Sequence, residues 1–472
     1  MAAMSTFEPG SSERPASGWP SVPPEVPPTS SGSWPGSPMP PGSPIPPAPS
    51  LPPSTPGGGS RGRLALIGIA AGLVVLLLAG TAWVVTRPDR GRGVAAGASS
   101  TTSSAPATTA TSAPTTSSTP TAALVVPTGD PVFDEGVAHV ARFVEQTRGH
   151  EFKQPVKVEL VDDDQFNQRL LADFDQDVPS MRTDERVLKA LQLIPASSDY
   201  VDALRRTVAE GVLGFYDPET KALVVRGTEL TPFIRETMAH ELTHALDDQW
   251  FDLDRPELDD APDESSFAFQ ALTEGSARYV EGQFDDTLSA SDSQLLEEES
   301  SKFGAQMDLS GVPDYIVESL GIPYQLGLQL VEHLHSTGGS EAVDAAFVTP
   351  PTTSEQVLNP ELMRLSPSVV ETPAADGDVI DDGVIGELGF LQLLHSADPG
   401  SGVDRAATDG WAGDHYIAYA SGGRTCVRDS LRVDTPAAGD AFEEALRSWT
   451  DAATDATVTR ADVLTLTVSS CS

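Results

Sequence analysis

Basic side chains are scarce: 29 Lys and Arg stand against 69 Asp and Glu, a formal net charge of −40. A field of that sign repels nucleic acid and anionic lipid headgroups, which excludes both as general partners, and it does not favour an acidic substrate. Cysteine is almost missing as well, with Cys426 and Cys471 the only two in the chain. One disulfide at most can form. Either they pair in an oxidising compartment, closing a loop worth about 3 to 4 kcal/mol in chain-entropy terms, or they remain two buried thiols. There is no strong internal repeat, so a stacked-repeat architecture is not expected. Long uncharged apolar runs are missing too, with one exception at residues 64–85.

That exception organises the chain. Residues 64–85 span about 33 Å as a helix at 1.5 Å per residue, matching a bilayer's hydrocarbon core. A single transmembrane helix is expected there. Before it, residues 1–63 hold 18 of the 40 prolines, a composition that cannot bury enough apolar surface to fold and reads as a disordered tail. Its Pro-x-x-P spacings offer a docking mode for a partner's aromatic groove. Residues 86–129 form a linker rich in Ser, Thr and Pro. Arg61 and Arg63 flank the span on one side, and Arg87, Arg90 and Arg92 on the other. The count alone leans toward a cytoplasmic C-terminal part, but the stalk-like linker and the distal cysteine pair place the domain outside the cytoplasm. That domain, 130–472, carries −42 of the charge, because residues 1–128 hold 4 acidic and 6 basic side chains.

Within it, His240-Glu-Leu-Thr-His244 puts two imidazoles four residues apart. On a helix these stack on one face and can converge on one zinc ion, with Glu241 rotated to the side as general base. Thr231-Pro232 reads as an N-cap with proline in the first turn, and Ile234, Met238, Leu242, Ala245 and Leu246 recur at helical spacing. A zinc hydrolase usually takes three protein ligands and leaves one position open. Glu274 is the expected third ligand, in a second helical stretch from Phe267 to Val280 whose Gly275, Ser276 and Ala277 permit close approach to the first; Glu281, two turns on, is the reserve. Ahead of the motif, Gly214 to Gly227 reads as two β-runs about an Asp217-Pro218 turn, whose edge can accept an extended peptide.

His240-Glu-Leu-Thr-His-Ala245 followed by Glu274-Gly-Ser-Ala277 resembles the gluzincin metallopeptidases, the thermolysin-like group. The resemblance covers about Gly214 to Val280 and implies zinc on His240, His244 and Glu274, with Glu241 as base. It departs at Arg278, where that group carries an aspartate that steadies a histidine. Asp248, further along the first helix, is a candidate substitute, with a plain solvated aspartate the alternative reading. Tyr324, in a Pro-Tyr-x-x-Gly segment similar to bacterial peptidases of this superfamily, and His415 or Tyr416 are the candidates for stabilising an oxyanion. His333 and His335 read as structural.

The alternation of helical and β-like runs implies an α+β fold, a zincin-like domain whose upstream sheet-bearing lobe is followed by a mostly helical one. The expected activity is that of a membrane-anchored, extracytoplasmic zinc metallopeptidase acting on a peptide or protein. The alternatives are a zinc amidase cutting cell-wall peptides and a non-catalytic extracellular binding module with a degenerate site.

Overall fold

The computed structural model describes residues 124–259, 261–397 and 405–472. The tail at 1–63, the expected membrane span at 64–85 and most of the linker lie outside the described residues. No helix among the described residues is long and apolar enough to cross a membrane.

The fold is mixed α+β. Helix α1 (Pro131–Arg148) leads into β1 (Lys157–Val161), then α2 (Asp163–Leu170), α3 (Phe174–Ala190) and α4 (Tyr200–Gly211). β2 (Gly214–Asp217) and β3 (Ala222–Arg226) follow, then α5 (Pro232–Phe251), the short α6 (Pro256–Asp259), α7 (Ser265–Asp285), α8 (Ala290–Gln306), α9 (Asp314–Val348) and α10 (Ser354–Leu358). The chain ends with β4 (Asp378–Gly383), α11 (Gly386–Ala397), β5 (Trp411–Ser421), β6 (Arg424–Val433), α12 (Pro436–Ala452), β7 (Ala456–Asp462) and β8 (Thr465–Cys471).

The first sheet has the order β1-β3-β2, with β1 parallel and β2 antiparallel to β3. Its hairpin turns where Asp217 Oδ1 accepts the N–H groups of Glu219 (2.9 Å) and Thr220 (3.1 Å), and Lys221 takes a left-handed φ of 55°. The sheet, α1 and α5 enclose one core with Val140, Leu223, Met238 and Leu242 at its centre. The domain starts earlier than residue 130: Val125 is buried in this core and bridges to Val156.

Between α3 and α4 the chain breaks, with Gln192 at φ 60° and Pro195 beyond it. The expected, mostly helical following lobe needs correction. The part after the metal region is all helical only through α10, since from β4 onward the chain builds a five-stranded antiparallel sheet of order β4-β5-β6-β8-β7, with α11 and α12 inserted between its strands. β6 and β8 are interior strands of that sheet, and their apolar faces pack on α11 and α12. Cys426 and Cys471 are directly opposed on β6 and β8 and form a disulfide.

Candidate metal centre

α5 begins where the Thr231 hydroxyl accepts the Ile234 N–H, with Pro232 filling the first turn where no intrahelical donor is needed. From Pro232 to Asp248 almost every side chain is buried, so this helix runs through the interior. A polar residue on it must therefore find a partner. Asp247 does so with the buried Arg148 (2.8 Å) and the Ser276 hydroxyl (2.6 Å).

Four residues apart on that helix, His240 and His244 bring their Nε2 atoms to 3.1 Å. α7 lies alongside and places Glu274 Oε2 3.1 Å from the first nitrogen and 3.4 Å from the second. A tetrahedral zinc ion with N and O donors at about 2.0–2.1 Å separates those donors by about 3.3 Å. The triangle is thus the size of one face of such a tetrahedron. Two imidazoles and a carboxylate also form a donor set that zinc accepts with a fourth position left over.

The three groups are buried and electrostatically linked. Burial alone would raise the Glu274 carboxyl, but the His244 and His240 imidazoles outweigh it and hold Glu274 at about 2. Burial lowers His240 to about 4, whereas at His244 the Glu274 carboxylate overcomes burial and lifts the ring to about 9. One ring thus stays neutral and the other carries a proton that a metal would have to displace.

Glu241 lies beside the triangle. Its Oε2 accepts the Tyr216 N–H at 2.9 Å, and its Oε1 is buried without a hydrogen-bond partner among the described residues. Burial pushes this carboxyl up to about 8, with the His244 charge opposing and Glu274 adding. The Tyr216 contact follows from register. Arg226 N–H bonds Leu213 O, so the alternation of the antiparallel ladder turns the Gly214 and Tyr216 backbone groups away from β3, toward α5. Gly214 makes that approach possible, since a Cβ there would lie 2.7 Å from the Thr237 methyl and 3.3 Å from Glu241 Cγ. β2 is an edge strand, as expected, but its Tyr216 N–H is taken by Glu241. No side-chain motif could reveal a backbone donor.

Arg278 turns out to have a use. Its guanidinium pairs with Glu281, and Glu281 Oε2 in turn lies 2.9 Å from Nδ1 of His240. Glu281 therefore lies outside the triangle, against the opposite edge of the His240 ring. Asp248 is not at that edge: it accepts the Tyr216 hydroxyl and the Lys221 ammonium, both at 2.7 Å, and ties the β2–β3 hairpin to α5.

Tyr324 reaches the centre from α9. Its ring stacks on His240 with centroids 5.9 Å apart, and its buried hydroxyl has no hydrogen-bond partner among the described residues. Burial, then the charges of Glu274 and Glu241 and the approach of the hydroxyl to the Glu274 carboxylate, raise its pKa well above the ordinary tyrosine value. What places it there is Gly275 against Gly327, where a Cβ on Gly275 would lie 2.1 Å from the Gly327 carbonyl oxygen. The small residues of α7 are thus split: Gly275 admits α9, and Ser276 faces α5.

His415 and Tyr416 sit elsewhere, on β5. His415 Nε2 lies 3.2 Å from Asp382 and the Tyr416 hydroxyl bonds Asp381, so neither joins the triangle. His335 stacks on Tyr279 at 4.2 Å, in keeping with a structural role.

Residues 374–470 match a family model described as Domain of unknown function (DUF8575). The match covers the five-stranded sheet with α11 and α12, and none of the residues of the metal centre. No curated protein matches the chain, and no solved structure does.

Proposed function

We propose that His240, His244 and Glu274 hold a zinc ion and that the chain is a zinc-dependent hydrolase of peptide bonds. The observation that carries this reading is the donor triangle of zinc dimensions with a free, buried carboxylate oxygen of Glu241 beside it. When bound, zinc supplies Lewis acidity, which lowers the pKa of a coordinated water toward about 7 and polarises the scissile carbonyl.

The chain's own groups do the rest. The Tyr216 amide fixes one oxygen of Glu241, leaving Oε1 to take a proton from the attacking water and return it to the leaving amine. A dication alongside would draw the Glu241 carboxyl down from its elevated value, keeping it a base near neutral pH. Glu281 accepts from Nδ1–H of His240 and so fixes the tautomer whose Nε2 lone pair faces Glu274 and His244. The Tyr324 O–H, buried beside the centre near Glu274, is the group we assign to the developing oxyanion. Substrate must reach a site that is closed in this conformation, since His240 and Glu241 are fully buried. The disulfide between Cys426 and Cys471 supports a location outside the cytoplasm, and we read the apolar run at 64–85 as a membrane anchor.

The test uses the full-length chain. About one zinc per molecule, lost in His244→Ala, is expected together with cleavage of a peptide library that Glu241→Gln abolishes while retaining the metal. A chain that takes up no zinc after loading, or cleavage unaltered in Glu241→Gln, overturns the reading.

A further inference from the structure

Three more acidic side chains stand one helical turn from the histidine–glutamate triangle. The residue pairs along α5 and α7 show the two helices running antiparallel: His244 meets Glu274, His240 meets Glu281, and Glu236 meets Asp285. Glu236 precedes His240 by one turn, and Asp285 follows Glu281 by one turn, so each extends the same face. One carboxylate oxygen from each of Glu236, Glu281 and Asp285 lies within 4.8 Å of the others.

Glu236 is 95% buried (5% exposed), and its Oε2 has no hydrogen-bond partner among the described residues; Asp285 Oδ1 lacks one too. A buried carboxylate oxygen with no donor is costly, and the nearest cation, Arg278, is already paired with Glu281. The three oxygens thus gather in one place, and burial with the Asp285 charge pushes the Glu236 carboxyl up to about 8, so a cation entering near neutral pH would displace the proton held there. The donors are all oxygen, the set preferred by hard divalent cations, whereas zinc favours nitrogen and sulfur.

We propose that Glu236, Glu281 and Asp285 form a second divalent-cation site, suited to calcium or magnesium, joined to the first centre through Glu281. Calcium would take these oxygens and complete its shell with water; magnesium would keep more of its water. Because Glu281 also accepts from His240, a cation on one side of that carboxylate acts on the ring that faces the other site. The link is reciprocal, so occupancy of either site changes affinity at the other.

Calorimetric titration of the full-length, zinc-loaded chain with calcium chloride, and separately with magnesium chloride, tests this. One saturable site is expected, filled by whichever ion fits, with affinity reduced about tenfold or more in both Glu236→Gln and Asp285→Asn at unchanged zinc content. The cation should also raise the melting temperature of the unsubstituted chain, a readout that does not depend on the variants folding. His244→Ala should still bind the second cation, with an altered affinity, which separates failure of this site from failure of the zinc reading. No saturable uptake of either ion, or unchanged affinity in both carboxylate variants, overturns the proposal. Equal affinity with and without zinc overturns the link through Glu281.

Discussion

Glu281 Oε2 lies 2.9 Å from Nδ1 of His240, on the far side of the ring from Glu274, whose oxygen lies 3.1 Å from Nε2. One ring is thus held from both edges by carboxylates two helical turns apart on α7. Such supports set the orientation and basicity of a ligand histidine, and their loss typically weakens metal binding about 10- to 100-fold. We expect Glu281→Ala to lower zinc affinity by that factor. Glu281→Gln should recover part of it, because its amide oxygen still accepts from Nδ1–H. Competitive zinc titration measures both, and wild-type affinity in the alanine variant would remove the support role.

Removing the hydroxyl of Tyr324 leaves the ring that stacks on His240 in place. In Tyr324→Phe, kcat should fall about 10²-fold or more while KM and zinc content hold, the pattern of a donor used in the transition state. Loss confined to KM would assign Tyr324 to substrate binding instead.

Zinc uptake should depend on pH. Glu274 raises the His244 pKa to about 9 against the opposing effect of burial, and a metal requires the neutral ring. Below that value a proton has to leave as zinc enters, so apparent affinity rises about tenfold per pH unit and levels off above about 9. Titrations from pH 6 to 9 read the slope, and a flat profile would contradict the charge state assigned to His244.

Stability should show a separate pH effect from Asp184 on α3. Burial, with the charge of Asp381, pushes its carboxyl up to about 8, and its Oδ1 has no hydrogen-bond partner among the described residues. The folded state thus keeps a proton that the unfolded chain releases above about 4. Stability from this group is present at low pH and declines as pH rises from about 4 toward 8, by about 1.4 kcal/mol per unit. Asp184→Asn should flatten that decline and be more stable than the wild type at pH 8 in urea unfolding. Parallel pH slopes for the two proteins would sink the assignment.

Gly275→Ala tests the packing that brings Tyr324 in. A methyl group 2.1 Å from a carbonyl oxygen cannot be accommodated unless α9 moves away from α7, at a cost of about 3 kcal/mol. Urea unfolding should show that loss, and at temperatures where the variant remains folded zinc should bind while turnover drops, because the ligands lie on α5 and α7 and Tyr324 lies on α9. Full stability in this variant would mean that the helices do not meet there.

Much of the centre was legible from residue order. Helical spacing put His240 and His244 on one face because i and i+4 always share a face, whatever surrounds them. Glu274 and Glu281 were likewise recognisable as neighbours on one helix. Their division of labour was not, since it depends on which edge of His240 each meets. Asp248 was misread for the same reason: its position along α5 was right, but the hairpin that packs there supplies Tyr216 and Lys221 as its partners. The five-stranded sheet was only partly foreseen, because strands paired across long separations leave no local mark of their order.

Local order alone determined the cap and course of α5, the turn between β2 and β3, the pairing of helical positions and the excess of acid, all properties of short range or of composition. The antiparallel approach of α5 and α7, the contact of Gly275 with Gly327, the Tyr216 amide on Glu241 and the Arg278–Glu281–His240 chain were decided only by the tertiary structure. Each joins residues whose separation along the chain says nothing of their distance in space, and a buried charge takes whichever partner the packing brings within reach.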